Sequence, residues 1–295
     1  MTVPLIVDAH TGIAPEISPE SALPEHGRSS ATSATAPVRP RPSPPNSMIE
    51  RMTLILDAFD PATPILSLLE LAERTGLPRS TAHRIIDQMI RLRWLAHSSG
   101  GYRLGMRPLE LGGLAADHSE IRDVVNPLLY ELCGRTGLVG HLAVLDGRDV
   151  VYLDKVGGRL AANLPTRLGG RLPAHTTAVG KAILSSLDPN HVDATYRAYR
   201  EPLPVRTPRT IRSIADLLRE LEQVRLRHGV AMDNEESMTG ISCVAAPLRG
   251  RGPATAALSL CGDTRAMTSR RPASMVLEVA REASHVLSSR RHRWL

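Results

Sequence analysis

From residue 48 onward, apolar residues return at helical spacing. In "SMIERMTLILDAF" Ile49, Met52, Ile55, Leu56 and Phe59 fall on one face, and Ser47 with Glu50 three residues on forms a capping box. "SLLE" repeats the signal: Ser67 caps, Glu70 closes the box, and Leu68, Leu71 and Ala72 make the inner stripe. Gly76 is placed to end that helix in the left-handed conformation. Pro78 starts the next, because proline is tolerated in a first helical turn. In this third helix Ala82, Ile85, Ile86, Met89 and Ile90 follow the i, i+3, i+4, i+7, i+8 pattern of a core-facing stripe. The period then changes, and "RWLAHSSGGYRLG" reads as two short strands about a Ser-Ser-Gly-Gly turn. Three short helices with a tight turn before the third, then a hairpin, predict a winged helix-turn-helix over residues 47–105.

Downstream, "RPLELGGLAADHSEI" continues as helix, so residues 106–119 are expected to be a linker. Residues 120–292 then read as one α+β domain. "PLLYELCGR" predicts a helix over residues 127–135 that ends near Gly137. "GLVGHLAVLDGRDVVYLDKVGG" alternates and turns at Asp146-Gly147, a second hairpin. "RLPAHTTAVGKAILSSL" enters a helix at its Thr-Thr step, with Ala178, Ala182, Ile183 and Leu187 among its apolar positions. Residues 213–228 form an amphipathic helix capped by Ser213. "CVAAPLRG" and "ATAALSLCG" are buried-type strands, and a long helix near 273–290 closes the pattern. Antiparallel strands interleaved with helices indicate a sensor-like domain around a central sheet.

The first 46 residues break this order. Their Pro, Ala, Ser and Thr content, ending in "APVRPRPSPPNS", cannot bury enough apolar surface to offset chain ordering, and predicts a disordered tail with Met48 as an alternative start. The whole chain of 295 residues is long enough for two domains with separate cores.

Charge adds a direction. The net charge is +6 and only Lys155 and Lys181 are lysines. Between Gly76 and Arg107 six arginines face one acid, Asp87, whereas residues 48–117 as a whole carry eight of each sign. Positive charge therefore concentrates on the third helix and hairpin. The helix's outer face holds Arg79, Ser80, Thr81, Arg84, Gln88 and Arg91, with Arg103 on the hairpin. These side chains reach phosphates and base edges: Arg forks onto guanine, Gln pairs with adenine, Ser and Thr bind phosphate. Double-stranded DNA is the expected partner.

Three cysteines (Cys133, Cys243, Cys261) cannot build a disulfide framework and match no zinc spacing, which suits a reducing compartment. No apolar run approaches membrane length and the N-terminus lacks the pattern of a signal peptide, so a cytoplasmic protein without a membrane partner is expected. There is no G-x-S-x-G, H-E-x-x-H, Walker A or G-x-G-x-x-G, which argues against the corresponding enzymes.

"MDNEESMTGISC" poses the remaining choice. Asp233 and Cys243 could belong to a cysteine-dependent enzyme or redox sensor, with His141 or His175 as base. With both histidines Cys243 could ligate zinc, or the stretch could be one wall of a small-molecule pocket. His175 could instead cap or hydrogen-bond a helix start. Lys181 could meet a ligand carboxylate or an acid of its own domain. "SSRRHRWL" at the C-terminus reads as a solvated basic end.

"LELAERTGLPRSTAHRII", "RLPAHTTAVGKAIL" and "HGVAMDNEESMTGISCVAAPLRG", in that order, resemble the IclR family of bacterial transcriptional regulators over roughly residues 48–290. The resemblance implies a winged helix-turn-helix, a linker helix and a GAF-like effector domain. It implies dimers or tetramers on a promoter that respond to a small organic acid or aromatic metabolite, with no catalytic residue, metal or cofactor. By the same resemblance Asp233, Ile241 and Cys243, Ala178 and Val179 at the helix start, and Ser259 and Cys261 on the late strand would line the effector pocket. Ala161 and Leu164 would form its apolar lid. Cys261 stands where acid-binding relatives carry Ser, and the Ala178-Val179 pair lacks their Gly; these departures leave the effector open and allow a ligand bulkier or more apolar than a two- or three-carbon acid.

Overall fold

A computed structural model describes residues 47–117, 119–250 and 252–289; the Pro-rich tail and the last six residues lie outside these. The N-terminal helices are α1 (Met48–Asp57), α2 (Leu68–Thr75) and α3 (Arg79–Arg91). Both capping boxes form: Glu50 N donates to Ser47 Oγ at 3.1 Å and Ser47 N to Glu50 Oε2 at 3.0 Å. Glu70 N and Ser67 N make the same pair of bonds at 3.2 and 2.8 Å. Gly76 ends α2 at φ 68°, a conformation that costs a side chain dearly. Ile55, Leu71, Ile85, Ile86 and Met89 interlock as the core of this unit. Ile49 departs from its expected place: it is 77 % exposed, because the first turn of α1 lies outside that cluster.

Strands β1 (Leu95–Ser98) and β2 (Gly101–Leu104) pair antiparallel, and a bridge from Leu66 to Tyr102 pins the hairpin to the start of α2. Helix α4 (Met106–Asp117) follows, held to the end of α3 by Arg93, whose guanidinium donates to Glu110 Oε1 at 2.9 Å. Helix α5 spans Glu120–Thr136, so it begins two turns before the expected residue 127 and carries Pro127 inside. A proline there removes one backbone donor, and the apolar face of Val124, Val125, Leu129 and Leu132 buries enough to hold the helix together.

The remaining strands are β3 (Val139–Asp146), β4 (Asp149–Val156), β5 (Arg171–Pro173), β6 (Ala231–Asn234), β7 (Ile241–Leu248) and β8 (Ala256–Asp263). They form one antiparallel sheet in the order β5-β4-β3-β8-β7-β6. Alternation sends Leu142, Val244, Leu258 and Leu260 to one face, under α5 and the final helix (Arg271–Ser289). The other face, with Ala143, Ala245 and Ala257, lies under α7 (Ala178–Leu184) and α9 (Ile214–Leu226). Small side chains on that face let α7 approach closely. Elements with no signal in the sequence are the short strands β5 and β6, α6 (Arg159–Asn163), a single 3-10 turn (Ala174–Thr176) and α8 (Pro189–Ala198).

Candidate functional site

Two surfaces carry chemistry. On the first, Arg79, Ser80, Arg84, Gln88 and Arg91 are exposed along α3, and Arg103 is exposed on the hairpin. Thr81 is only half-buried, turned toward the flank of the helix. Among the described residues Arg79, Arg84, Arg91 and Arg103 have no carboxylate partner, while Arg93 and Arg107 are spent on Glu110. The helix thus presents a basic face whose charge is not neutralised locally.

The second surface is a small, partly open cavity between the sheet and the start of α7. Two transverse rows of the sheet make its floor. Asp233, Cys243, Cys261 and Val139 stand side by side across β6, β7, β8 and β3. Ala245, Ser259 and His141 make the next row on the same face. Leu164, Ala178, Val179, Asp233, Ile241, Cys243, Ser259 and Cys261 all line the cavity. Ala161 does not: it packs behind Leu164 in a small apolar cluster with Leu160. His141, Tyr152, Thr166, Thr177, Ser237 and Met238 complete the wall. Strand alternation alone could have found His141, two residues from Ala143, whereas Thr166 comes from a loop whose path no periodicity reveals.

Each polar group here is held. Asp233 is buried, and accepts from Glu236 N at 2.6 Å and from Ser237 Oγ at 2.5 Å. Burial raises its pKa above the usual carboxylate range, against the pull of those bonds. Burial pushes the His141 imidazole down to about 3, with the Lys155 ammonium adding to the effect, so the ring is neutral. Its Nε2 lies 2.8 Å from Thr166 Oγ1, and its Nδ1 3.5 Å from Cys261 Sγ. Thr177 caps α7 by accepting from Gly180 N at 3.0 Å. Position 180 must be glycine, because a Cβ there would strike the carbonyl oxygen of Ala174.

Three sequence readings change. Cys243 and Cys261 are bonded to one another, although the cysteine count argued against a disulfide framework; a count cannot show that the two fall opposite each other on neighbouring strands. His175 lies in the 3-10 turn, not in the cavity, and donates from Nε2 to the Pro204 carbonyl at 3.0 Å, so Thr177 alone caps the helix. His141, His175 and Cys243 therefore do not converge, and among the described residues no three metal-ligating groups cluster. Of the two roles open to Lys181, pairing with acids of its own domain is the one found: it lies outside the cavity, its ammonium donates to Glu236 Oε1 at 2.6 Å, and it is 3.8 Å from Glu220.

The model of the IclR helix-turn-helix domain matches residues 48–99, and that of the bacterial transcriptional regulator IclR C-terminal domain matches residues 113–289. The chain belongs to the IclR family. The transcriptional regulator XynR of Escherichia coli K12 is 36% identical to it over 202 residues, 68% of this chain and 79% of XynR. The acetate operon repressor of Salmonella typhimurium is 32% identical over 228 residues, covering 74% and 82% of the two chains. An IclR homologue from Microbacterium hydrocarbonoxydans, solved in complex with 4-hydroxybenzoate, superposes with a TM-score of 0.71 at 27% identity, over 83% of this chain and all of that one. The Thermotoga maritima IclR structure gives 0.63 at 29% identity, over 82% and 97%. Like these IclR proteins, the chain is a DNA-binding transcriptional regulator with an effector-binding C-terminal domain, and not an enzyme. No helix among the described residues is long and apolar enough to cross a membrane.

Proposed function

We propose that the protein is a cytoplasmic, homo-oligomeric promoter regulator whose effector is an aromatic carboxylate held in the cavity on the α7 face of the sheet. Residues 47–105 form its DNA-binding unit, 106–119 the linker and 120–292 the effector and oligomerisation unit. The observation that carries the ligand class is the cavity wall. Tyr152, Leu164, Pro165, Ile241 and Met238 offer apolar and aromatic contact, and a structural relative holds 4-hydroxybenzoate. Asp233 would repel a carboxylate, so the acid group belongs at the Ala178–Val179 side. A hydroxyl at the far end of the ring would meet Asp233 and Ser259. Arg79, Ser80, Thr81, Arg84, Gln88 and Arg103 contact operator DNA, α3 lying in the major groove and the hairpin on the backbone.

The test pairs calorimetry of 4-hydroxybenzoate against the full-length protein with a footprint on the DNA upstream of its own gene. Saturable binding and a ligand-dependent change in footprint are expected. No heat with any hydroxybenzoate, and a footprint indifferent to all of them, would remove the ligand class from consideration.

A further inference from the structure

The effector cavity contains two sulfurs that ligand recognition alone does not explain. Cys243 and Cys261 are register partners on β7 and β8, with Cα atoms 4.1 Å apart. That is the spacing of a non-hydrogen-bonded cross-strand pair, in which side chains on one face stand closest. At that register the two sulfurs share one face, within reach of each other on neighbouring strands. Cys243 is half-buried and reachable from the cavity, whereas Cys261 is buried beneath it, 3.5 Å from His141 Nδ1 and 3.8 Å from Ser259 Oγ. The third cysteine, Cys133, sits on the opposite face of the sheet in the main core and has no sulfur partner.

We propose that Cys243 and Cys261 are a reversible dithiol–disulfide couple in the floor of the effector cavity, closed by a hydroperoxide and opened by a dithiol. This rests on the reading of the cavity as the effector site. In the first step Cys243 Sγ attacks the outer oxygen of R–O–O–H. The O–O bond breaks, the thiol proton passes to the departing alkoxide, and R–OH leaves with Cys243 as a sulfenic acid. In the second step the Cys261 sulfur attacks Cys243 Sγ while its thiol proton passes to the departing hydroxide, which leaves as water. Two thiols lose two electrons in all and the peroxide gains them. His141 stays neutral throughout and packs against the Cys261 sulfur, its other nitrogen engaged with Thr166.

The couple changes the space a ligand meets. Bonded sulfurs lie about 2.05 Å apart. Unbonded ones must separate to van der Waals contact, about 3.5 Å or more. Since Cys261 is enclosed, Cys243 makes most of that movement, into the cavity. The dithiol form should therefore bind a ring-sized effector less tightly than the bridged form.

The full-length protein is reduced, treated with equimolar hydrogen peroxide, blocked with N-ethylmaleimide and peptide-mapped by mass spectrometry. 4-Hydroxybenzoate is titrated into both forms. A peptide linking Cys243 to Cys261 is expected after peroxide and not after dithiothreitol, with Cys133 unbridged throughout. The dithiol form should bind about ten-fold more weakly, and Cys243→Ser and Cys261→Ser should each show one affinity whatever the treatment. Thiols still free after peroxide, or two forms of equal affinity, would overturn the proposal. A bridge that closes in a protein binding no hydroxybenzoate in either form supports the couple and overturns the ligand reading instead.

Discussion

Arg84 and His141 show how differently two side chains can bear on one activity. Arg84 is exposed in the middle of the basic face of α3 and makes no ion pair among the described residues, the nearby Asp87 being paired with His83. If it forks onto a guanine, Arg84→Ala should weaken operator binding by about 1–3 kcal/mol, while binding to unrelated duplex DNA changes little. A gel-shift titration on both duplexes decides, and equal losses on the two would reduce Arg84 to a phosphate contact. His141 acts through burial. Its folded pKa near 3 lies below the ordinary 6.5, so between those values the unfolded chain binds a proton that the folded chain cannot. Stability contributed by the neutral ring is complete above pH 6.5 and falls as acid is added, by about 1.4 kcal/mol per pH unit down to pH 3. His175, also lowered by burial, acts in the same sense, so the wild type must be compared with His141→Asn in urea melts across pH 7 to 4. The variant should lose part of that acid slope; parallel curves would sink the assignment. The arginines were legible in the sequence because exposure on a helix follows from its period. His141 was named there only as a base or zinc ligand in search of a cysteine, since its partners Thr166 and Cys261 arrive from distant segments.

Between elements, the tie from α7 to the segment after β6 is an ion pair buried in the domain. Lys181 is 1 % exposed and its ammonium meets Glu236, whose other oxygen, Oε2, is buried without a hydrogen-bond partner among the described residues. Burial already raises the Glu236 pKa, with the Lys181 charge opposing. Lys181→Met should therefore cost about 3–5 kcal/mol at neutral pH, because it leaves a buried carboxylate uncompensated. The loss should shrink as the solution is acidified, since a protonated Glu236 needs no cation. Lys181→Met with Glu236→Leu should recover most of the stability. A double variant as unstable as the single would show that the Lys181 stem, not its charge, is what α7 needs. At this scale the sequence disclosed whatever was periodic or capped: the two capping boxes, the stripe of α3 and the strands flanking Cys243 and Cys261. It hid α8 and β5, where three to ten residues without a clear period are ordered by the sheet edge and by α9. It also misplaced the start of α5, because Pro127 looks like a boundary until the apolar residues before it are seen to pack.

For the molecule as a whole, one group of exposed apolar side chains lies along the linker. Met106, Leu109 and Leu114 on α4 are 55, 67 and 57 % exposed, and Ile49 on α1 is exposed as well. A monomer gains nothing by offering such a stripe to water, and a second copy would cover it. Pairing α4 with its symmetry mate would also set the two α3 helices at a fixed separation, as two half-sites about 34 Å apart require. The same helix joins the effector domain to the DNA-binding unit and is tied to the latter by the Arg93–Glu110 contact, so α4 is a direct covalent route from the cavity's domain to DNA. Leu109→Glu with Leu114→Glu should therefore break two properties together. Sedimentation velocity should show a smaller species at micromolar protein, and operator affinity should fall by about 10²–10⁴ as the link between half-sites is lost. Helical content and 4-hydroxybenzoate binding should persist, because neither leucine lines the cavity. Were the variant to sediment and bind operator as the wild type does, the dimer would have to be built on another face, and the exposed stripe of α4 would need a different occupant.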